Sequence, residues 1–80
     1  MTVGARLRAA REAAGLSIAD VAAATRMRGS IIEAMEGDDF SHCGGDVYAR
    51  GQLRMMAPIL GLDPDEIAGY FDAQAPDRDY

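Results

Sequence analysis

The segment 15–36 constrains the fold of this chain more than any other part of the sequence. Ser17 is a favoured N-cap residue, and Asp20 follows at the position from which a carboxylate can bond back to the cap. A second helix after a short connection places Ile32 and Met35 on one inward stripe. The small apolar residues of the helix that Ser17 starts are Val21, Ala22 and Ala24. The segment therefore predicts two short helices joined by a tight turn.

A first helix is predicted ahead of this pair, over about residues 3–14, and Gly15 supplies its C-terminal stop. Apolar residues at helical spacing form its inward side, namely Val3, Leu7, Ala10 and Ala14. The basic residues predicted on its solvent side, with Glu12 close by, are Arg6, Arg8 and Arg11.

Two further helices are predicted in the second half of the chain. Asp46 is a candidate N-cap for the fourth helix, and Pro58 near its end predicts a bend or a last turn that packing holds. The inward residues of this helix are predicted to be Val47, Leu53, Ala57 and Leu60. The run 63–66, Asp-Pro-Asp-Glu, is the clearest start signal in the chain, with a cap, an N1 proline and a glutamate that closes a capping box. The fifth helix carries Ile67, Tyr70 and Phe71.

The chain has only two Phe and three Tyr, so the placement of each aromatic residue matters. Phe40 is predicted to plug the core under the loop after the third helix. Tyr48 is predicted to pack on Phe40 in the core, and an exposed contact is the alternative. Because consecutive helical residues point about 100° apart, at least one of Met55 and Met56 is predicted to be exposed.

Taken together, these patterns predict an all-α, five-helix domain with a helix-turn-helix of the Cro/repressor type at its centre. Eighty residues suffice for one domain. We place it at residues 1–72, with 73–80 as a polar tail or the start of a linker. No stretch approaches the roughly 18 consecutive apolar residues of a membrane span, and a lone Cys fits a reducing compartment. The sequence therefore predicts a cytoplasmic domain.

Three stretches resemble one family, and the resemblance covers roughly residues 4–72. Residues 4–17, 46–54 and 61–66 are similar to the cytoplasmic N-terminal domain of the RodZ family of bacterial cell-shape proteins. The Val-Tyr-Ala-Arg-Gly-x-Leu-Arg run that begins at Val47 is the most specific part, because DNA-binding repressors have no need of it.

The resemblance implies a non-enzymatic adaptor in cell shape, envelope growth or division. It further implies that the domain is the cytoplasmic part of a single-pass inner-membrane protein. A linker, a transmembrane helix and a periplasmic β domain would follow, all outside this chain. The family's partner is the actin-like filament protein MreB, which the family contacts through aromatic residues of the fourth helix.

The two aromatic positions of the family's fourth helix correspond to Gln52 and Met56 here. Losing an aromatic anchor can cost about 2 kcal/mol or more, which argues against an MreB-type partner at the usual surface. Met56 could substitute in part, because methionine is a flexible apolar contact. The protein-binding surface is predicted on the fourth helix and its adjoining loop, with Tyr48, Arg50, Gln52, Arg54, Met55 and Met56.

DNA binding is the alternative function, because the helix-turn-helix is a common DNA-reading scaffold. The residues that would contact DNA are Arg26, Arg28, Ser30 and Glu33. The chain has no Lys and a net charge of −5, and such an acidic domain is repelled by phosphate unless its Arg residues cluster on one face. Ile18 also stands where Cro-like domains usually have Gln. Exposed Ile31 would instead favour protein contact, unless it is half-buried core.

The adjacent His42 and Cys43 are predicted to lie in a surface loop with a half-buried thiol. A metal site would need further ligands at suitable spacing, and a nucleophile–base pair would need side chains that converge. The sequence therefore predicts no enzyme, no metal, no cofactor and no small-molecule substrate.

Overall fold

Five α-helices and one short 3₁₀ turn make up the part of the chain that the computed structural model describes, residues 1–74. In chain order they are α1 (Val3–Ala13), α2 (Ile18–Thr25), α3 (Gly29–Glu36), the 3₁₀ turn (Ser41–Cys43), α4 (Asp46–Leu60) and α5 (Pro64–Ala73). The described residues contain no β-strand, so the predicted all-α, five-helix fold is confirmed. None of these helices is long and apolar enough to cross a bilayer.

Side-chain caps start α2 and α5, and the reciprocal bond of the predicted capping box forms at α2 but not at α5. The Ser17 hydroxyl accepts from the Asp20 backbone at 3.0 Å, and the Asp20 carboxylate accepts from the Ser17 backbone at 2.9 Å. These bonds, the backbone one first, lower the pKa of Asp20, so the cap is intact at neutral pH and weakens as acid protonates that carboxylate. Asp63 accepts from the backbones of Asp65 and Glu66, both at 2.9 Å, with Pro64 in the first turn.

The start of α4 differs from the prediction by one residue. Gly45 is its N-cap, and Asp46 is already helical. Gly45 has φ +117°, a conformation that residues with a side chain rarely adopt, so the turn selects glycine for the cap position. At its other end α4 runs through Pro58 to Leu60, and the last turn is held by buried Ala57 and Leu60.

The core lies where all five helices meet, and the Phe40 plug is confirmed. Phe40 and Phe71 are fully buried, and their rings meet edge to face with centroids 4.9 Å apart. The other large, fully buried side chains are Val3, Leu7, Val21, Ile32, Met35, Leu53 and Met56. Ile31 is half-buried against this core, one of the two alternatives that the sequence left open.

Two residues of α4 that were predicted to face inward are exposed instead. Val47 is 71 % exposed and Tyr48 is 66 % exposed, so the predicted core placement of both was wrong. The buried stripe of α4 begins at Ala49 and continues through Leu53 and Leu60. Successive residues turn by about 100°, which rotates positions 47 and 48 to the opposite side.

The basic residues of α1 are less exposed than the sequence predicted. Arg11 forms a two-pronged pair with Glu36, with Nε 2.7 Å and Nη2 3.0 Å from its two carboxylate oxygens. The side chains are only 15 % and 9 % exposed. The Arg6 guanidinium lies 3.8 Å from the centre of the Tyr70 ring. Arg8 remains on the solvent side and approaches Glu12, as predicted.

Gln74 ties the end of α5 to the start of α1. Its side-chain oxygen accepts from Val3 N at 3.0 Å, and its amide donates to Asp38 at 3.2 Å. Asp38 in turn accepts from Gly4 N at 2.9 Å. Residues 73 and 74, predicted to open the polar tail, thus belong to the folded unit. The rest of that predicted tail, 75–80, lies outside the described residues.

Gly4 permits the close approach of α1 to the end of α3. A Cβ at this position would lie 2.5 Å from Glu36 O and 2.6 Å from Met35 O. Backbone carbonyls cannot rotate away, so we expect Gly4→Ala to lower the free energy of unfolding by about 1–3 kcal/mol, measured by urea denaturation. Gly69→Ala on exposed α5 has no atom within 4 Å of its new Cβ and should raise that energy by about 0.5–1 kcal/mol. Equal effects of the two changes would contradict the proposed contact.

Candidate functional site

The solvent side of α4 carries six exposed residues, most of them apolar, which we call the α4 outer face. Its residues are Val47, Tyr48, Gly51, Arg54, Met55 and Pro58. At about 100° per residue, all six project within a sector of about 120°. Three of the five exposed large apolar side chains among the described residues belong to it, with Met55 at 47 % exposure beside Val47 and Tyr48. The local fold places this face opposite the core stripe of α4.

Gly51 lies at the centre of the α4 outer face and leaves a notch there. A Cβ at Gly51 would have no atom within 4 Å. Val47 and Met55 lie one helical turn to either side, and Tyr48 flanks the notch. The Tyr48 ring rests beside Gly44, since a Cβ there would come within 3.6 Å of Tyr48 Cδ2. The face therefore has a position without a side chain among exposed apolar side chains.

Charged residues border this face on the side of α5. Arg54 Nε lies 3.6 Å from Asp65, with side chains 53 % and 92 % exposed. Arg50 donates to Asp72 at 3.0 Å and is less exposed. Because exposed pairs of this kind contribute about 0–1 kcal/mol, Arg54 is available to another partner at little cost.

Three of the six predicted protein-contact residues lie on the α4 outer face: Tyr48, Arg54 and Met55. Arg50 is half-buried between α4 and α5. Gln52 is half-buried beside the 3₁₀ turn, and its amide donates to the Cys43 carbonyl at 3.4 Å.

Met56 is 1 % exposed, so its predicted place on the contact surface was wrong. It follows Leu53 on the same stripe of the helix, and that stripe enters the core. Met55 next to it is exposed, which confirms the prediction that at least one of the two would be.

Val47, Gly51 and Pro58 were not predicted to be surface residues. Helical periodicity could have predicted them. If Leu53 and Leu60 face the core, a rotation of about 100° per residue places positions 47, 51 and 58 on the solvent side. The contact surface was predicted to include positions 52 and 56 because the family has its aromatic contacts there. In this chain the face is displaced from those positions.

The alternative DNA surface lies at the turn between α2 and α3 and on the first half of α3. Its residues, Arg26, Arg28, Ser30 and Glu33, are all exposed. Arg26 has φ +59° and ends α2, and Arg28 precedes α3 without a side-chain cap bond. Neither arginine forms an ion pair with a residue in the range 1–74. Two cations next to Glu33 make a weak phosphate-binding surface, since non-specific DNA affinity grows with the number of phosphate contacts.

Cys43 and His42 diverge, as the sequence predicted. Cys43 is 6 % exposed, more buried than the half-buried thiol expected, whereas His42 lies in solvent 3.4 Å from Asp39. Burial, and then the Asp39 charge, raises the pKa of the Cys43 thiol. Within residues 1–74, no three His, Cys, Asp or Glu side chains converge as they would around a metal ion.

Comparison with known proteins connects these observations to a family. The sequence matches a family described as a helix-turn-helix domain over residues 6–67. It is 33 % identical over 72 residues to the cytoskeleton protein RodZ of Streptococcus pneumoniae (strain ATCC BAA-255 / R6). That match covers 90 % of this chain but 26 % of the relative, so the chain spans about a quarter of the relative's length. No solved structure matches the chain.

Proposed function

The chain belongs to the helix-turn-helix family found at the N-terminus of RodZ, as the resemblance predicted, and we propose that it is a non-enzymatic cytoplasmic adaptor domain. In this proposal it binds a protein of bacterial cell-shape, envelope-growth or division control. The α4 outer face, with its clustered exposed apolar side chains, is the observation that carries the proposal. In this proposal the domain is attached to the membrane only through a segment that lies outside this chain.

Clustering distinguishes this face from an ordinary surface. Single exposed apolar residues are common on soluble proteins and need no explanation. Here Val47, Tyr48 and Met55 share one face of a single helix and flank the open notch at Gly51. Tyr, Met and Arg are the residue types enriched at protein interfaces, which supports protein binding over a passive role.

The residues proposed to contact a partner here also differ from the aromatic contact positions of the family. The family's aromatic contacts correspond to positions 52 and 56, which here are half-buried and buried. Tyr48 is the aromatic residue of α4 that reaches solvent. We therefore propose that Tyr48 and Met55 replace those contacts as anchors, so the partner approaches closer to the N-terminus of α4.

A pull-down from the source bacterium tests this proposal. We expect the wild-type chain to recover a cytoskeletal or envelope-synthesis protein, and Met55→Glu to recover at least about tenfold less. Burying an unpaired charge at an anchor position costs more than the roughly 1.4 kcal/mol that a tenfold loss requires. Ala23→Glu adds the same charge at an exposed position of α2 and should bind as the wild type.

Two outcomes would contradict the adaptor proposal. One is recovery of no such protein by the wild-type chain. The other is equal recovery by the wild type and Met55→Glu.

Sub-micromolar, sequence-selective DNA binding that Arg28→Ala abolishes would instead establish a transcriptional regulator. At about 150 mM salt we expect DNA binding no tighter than the 10⁻⁴ to 10⁻⁶ M or so of non-specific complexes.

A further inference from the structure

The α4 outer face has residues of matching chemistry at equal distances on either side of Gly51. Val47 and Met55 lie four residues before and after Gly51, and Tyr48 and Arg54 lie three residues before and after it. We infer that this face binds a second copy of the same chain, as an antiparallel pair of α4 helices that cross at Gly51. In a two-fold interface, residue i of one copy contacts residue j of the other, and residue j of the first contacts residue i of the second. Each pair of residues placed symmetrically about Gly51 therefore forms its contact twice.

The crossing point requires a residue without a side chain. Packed helices approach to 8–10 Å between axes, and the distance is set by the side chains at the contact. Gly51 is exposed, and no atom lies within 4 Å of where its Cβ would be. A second α4 can therefore rest in the notch with its own Gly51 on the symmetry axis.

The outer pairs supply two kinds of contact. Val47 of one copy meets Met55 of the other, which removes apolar surface from water on both sides. Tyr48 of one copy meets Arg54 of the other, so a guanidinium can stack on the ring in a cation–π contact. The fold already contains this contact once, where Arg6 lies 3.8 Å from the Tyr70 ring centre.

The charges of the face permit this arrangement. Arg54 is its only charged residue, and its present pair with Asp65 is long and exposed. In the antiparallel pair the two Arg54 positions are six residues apart along the axis, about 9 Å at 1.5 Å per residue. At that distance salt near 0.15 M screens most of their mutual repulsion.

The two-fold pair is expected to be weak and reversible. One face of a helix of 15 residues covers less than the roughly 1,200 Å² at which stable interfaces begin. Dissociation constants between micromolar and millimolar are consistent with that size. Self-association would cover Tyr48 and Met55, so a second copy and another protein would compete for them, a consequence that rests on the proposed function.

Sedimentation velocity of the chain alone, over about 10 µM to 1 mM, tests the inference. We expect the wild type to shift from monomer to dimer, and Gly51→Glu to associate at least tenfold more weakly. Gly69→Glu on α5 is the matched control, because Gly69 is also exposed, helical and free of atoms within 4 Å of its Cβ. It should associate as the wild type. Both variants should fold, since glutamate has the higher helix propensity.

The antiparallel register has its own test. Val47→Glu and Met55→Lys should each self-associate at least tenfold more weakly than the wild type. An equimolar mixture should form a heterodimer that salt weakens, because the new carboxylate at position 47 of one variant would face the new ammonium group at position 55 of the other. A wild type that is monomeric at 1 mM, unaltered association of Gly51→Glu, or no gain on mixing would overturn the inference. No other protein is present, so these failures leave the adaptor proposal untouched.

Discussion

Truncating Phe71 to alanine is expected to lower the free energy of unfolding by about 3–5 kcal/mol, one of the two largest effects in this domain. The Phe71 ring is fully buried and meets the Phe40 ring at 4.9 Å with an interplanar angle of 69°. The change removes apolar area, leaves a cavity and abolishes an edge-to-face pair. An 80-residue domain is stable by roughly 4–12 kcal/mol, so most of that margin would be lost.

Urea denaturation followed by far-ultraviolet circular dichroism measures this change. Tyr70→Ala is the control, because it removes an aromatic ring from the next residue of the same helix. Tyr70 is 37 % exposed, and its loss should cost less, about 1–2 kcal/mol through lost packing and the contact with Arg6. If Phe71→Ala proves too unstable, Phe71→Leu still reports the site at lower cost. A loss below about 1.5 kcal/mol for Phe71→Ala would contradict the central role of the pair.

The elements that the sequence predicted well depend on neighbouring residues. The caps at Ser17 and Asp63 bond to backbone groups within three residues, and the inward pair of Ile32 and Met35 follows helical spacing. The all-α fold and the number of helices follow from such local signals. Burial of Phe40 was also predictable, because a large apolar side chain between two turns has few alternatives.

The contacts that the sequence did not predict join residues far apart in the chain. Arg11 and Glu36 are separated by 25 positions, so neither helix alone indicates that they pair. Gln74 reaches back 71 positions to Val3, a contact that no local signal near either residue indicates. Charged residues on an amphipathic helix are normally solvated, and only the packing of α1 on α3 reverses that expectation for Arg11.

The candidate site was predicted on the right helix, but only three of its six residues, Tyr48, Arg54 and Met55, lie on the exposed face. Tyr48 was assigned to the core because aromatic residues are few, and Met56 to the surface because of its place in the family pattern. The structure reverses both, since the buried stripe of α4 enters the core at Ala49 and includes Met56. Rotation about a helix axis is set by tertiary packing, which local propensity does not report.

Removing the carboxylate of Glu36 is the second change with a large expected effect. Glu36→Ala leaves the Arg11 guanidinium in a site where the two side chains are 15 % and 9 % exposed, with the Leu16 carbonyl at 3.0 Å as its remaining acceptor. An arginine guanidinium stays protonated in proteins, so Arg11 cannot escape the cost by losing its charge. Breaking such a pair costs about 3–5 kcal/mol, and we expect the lower end because the pair retains some contact with water.

Three further variants separate this cost from a general loss of packing between α1 and α3. Glu12→Ala breaks the exposed pair with Arg8 on the same helix and should cost below about 1 kcal/mol. Arg11→Ala should be as damaging as Glu36→Ala, because it strands the opposite charge. The double variant Arg11→Met/Glu36→Leu should recover most of the loss, since well-packed apolar residues can replace a buried pair without penalty. If the double variant lost as much stability as the sum of the two single variants, the single losses would come from packing between α1 and α3. An unpaired buried charge would then not be their cause.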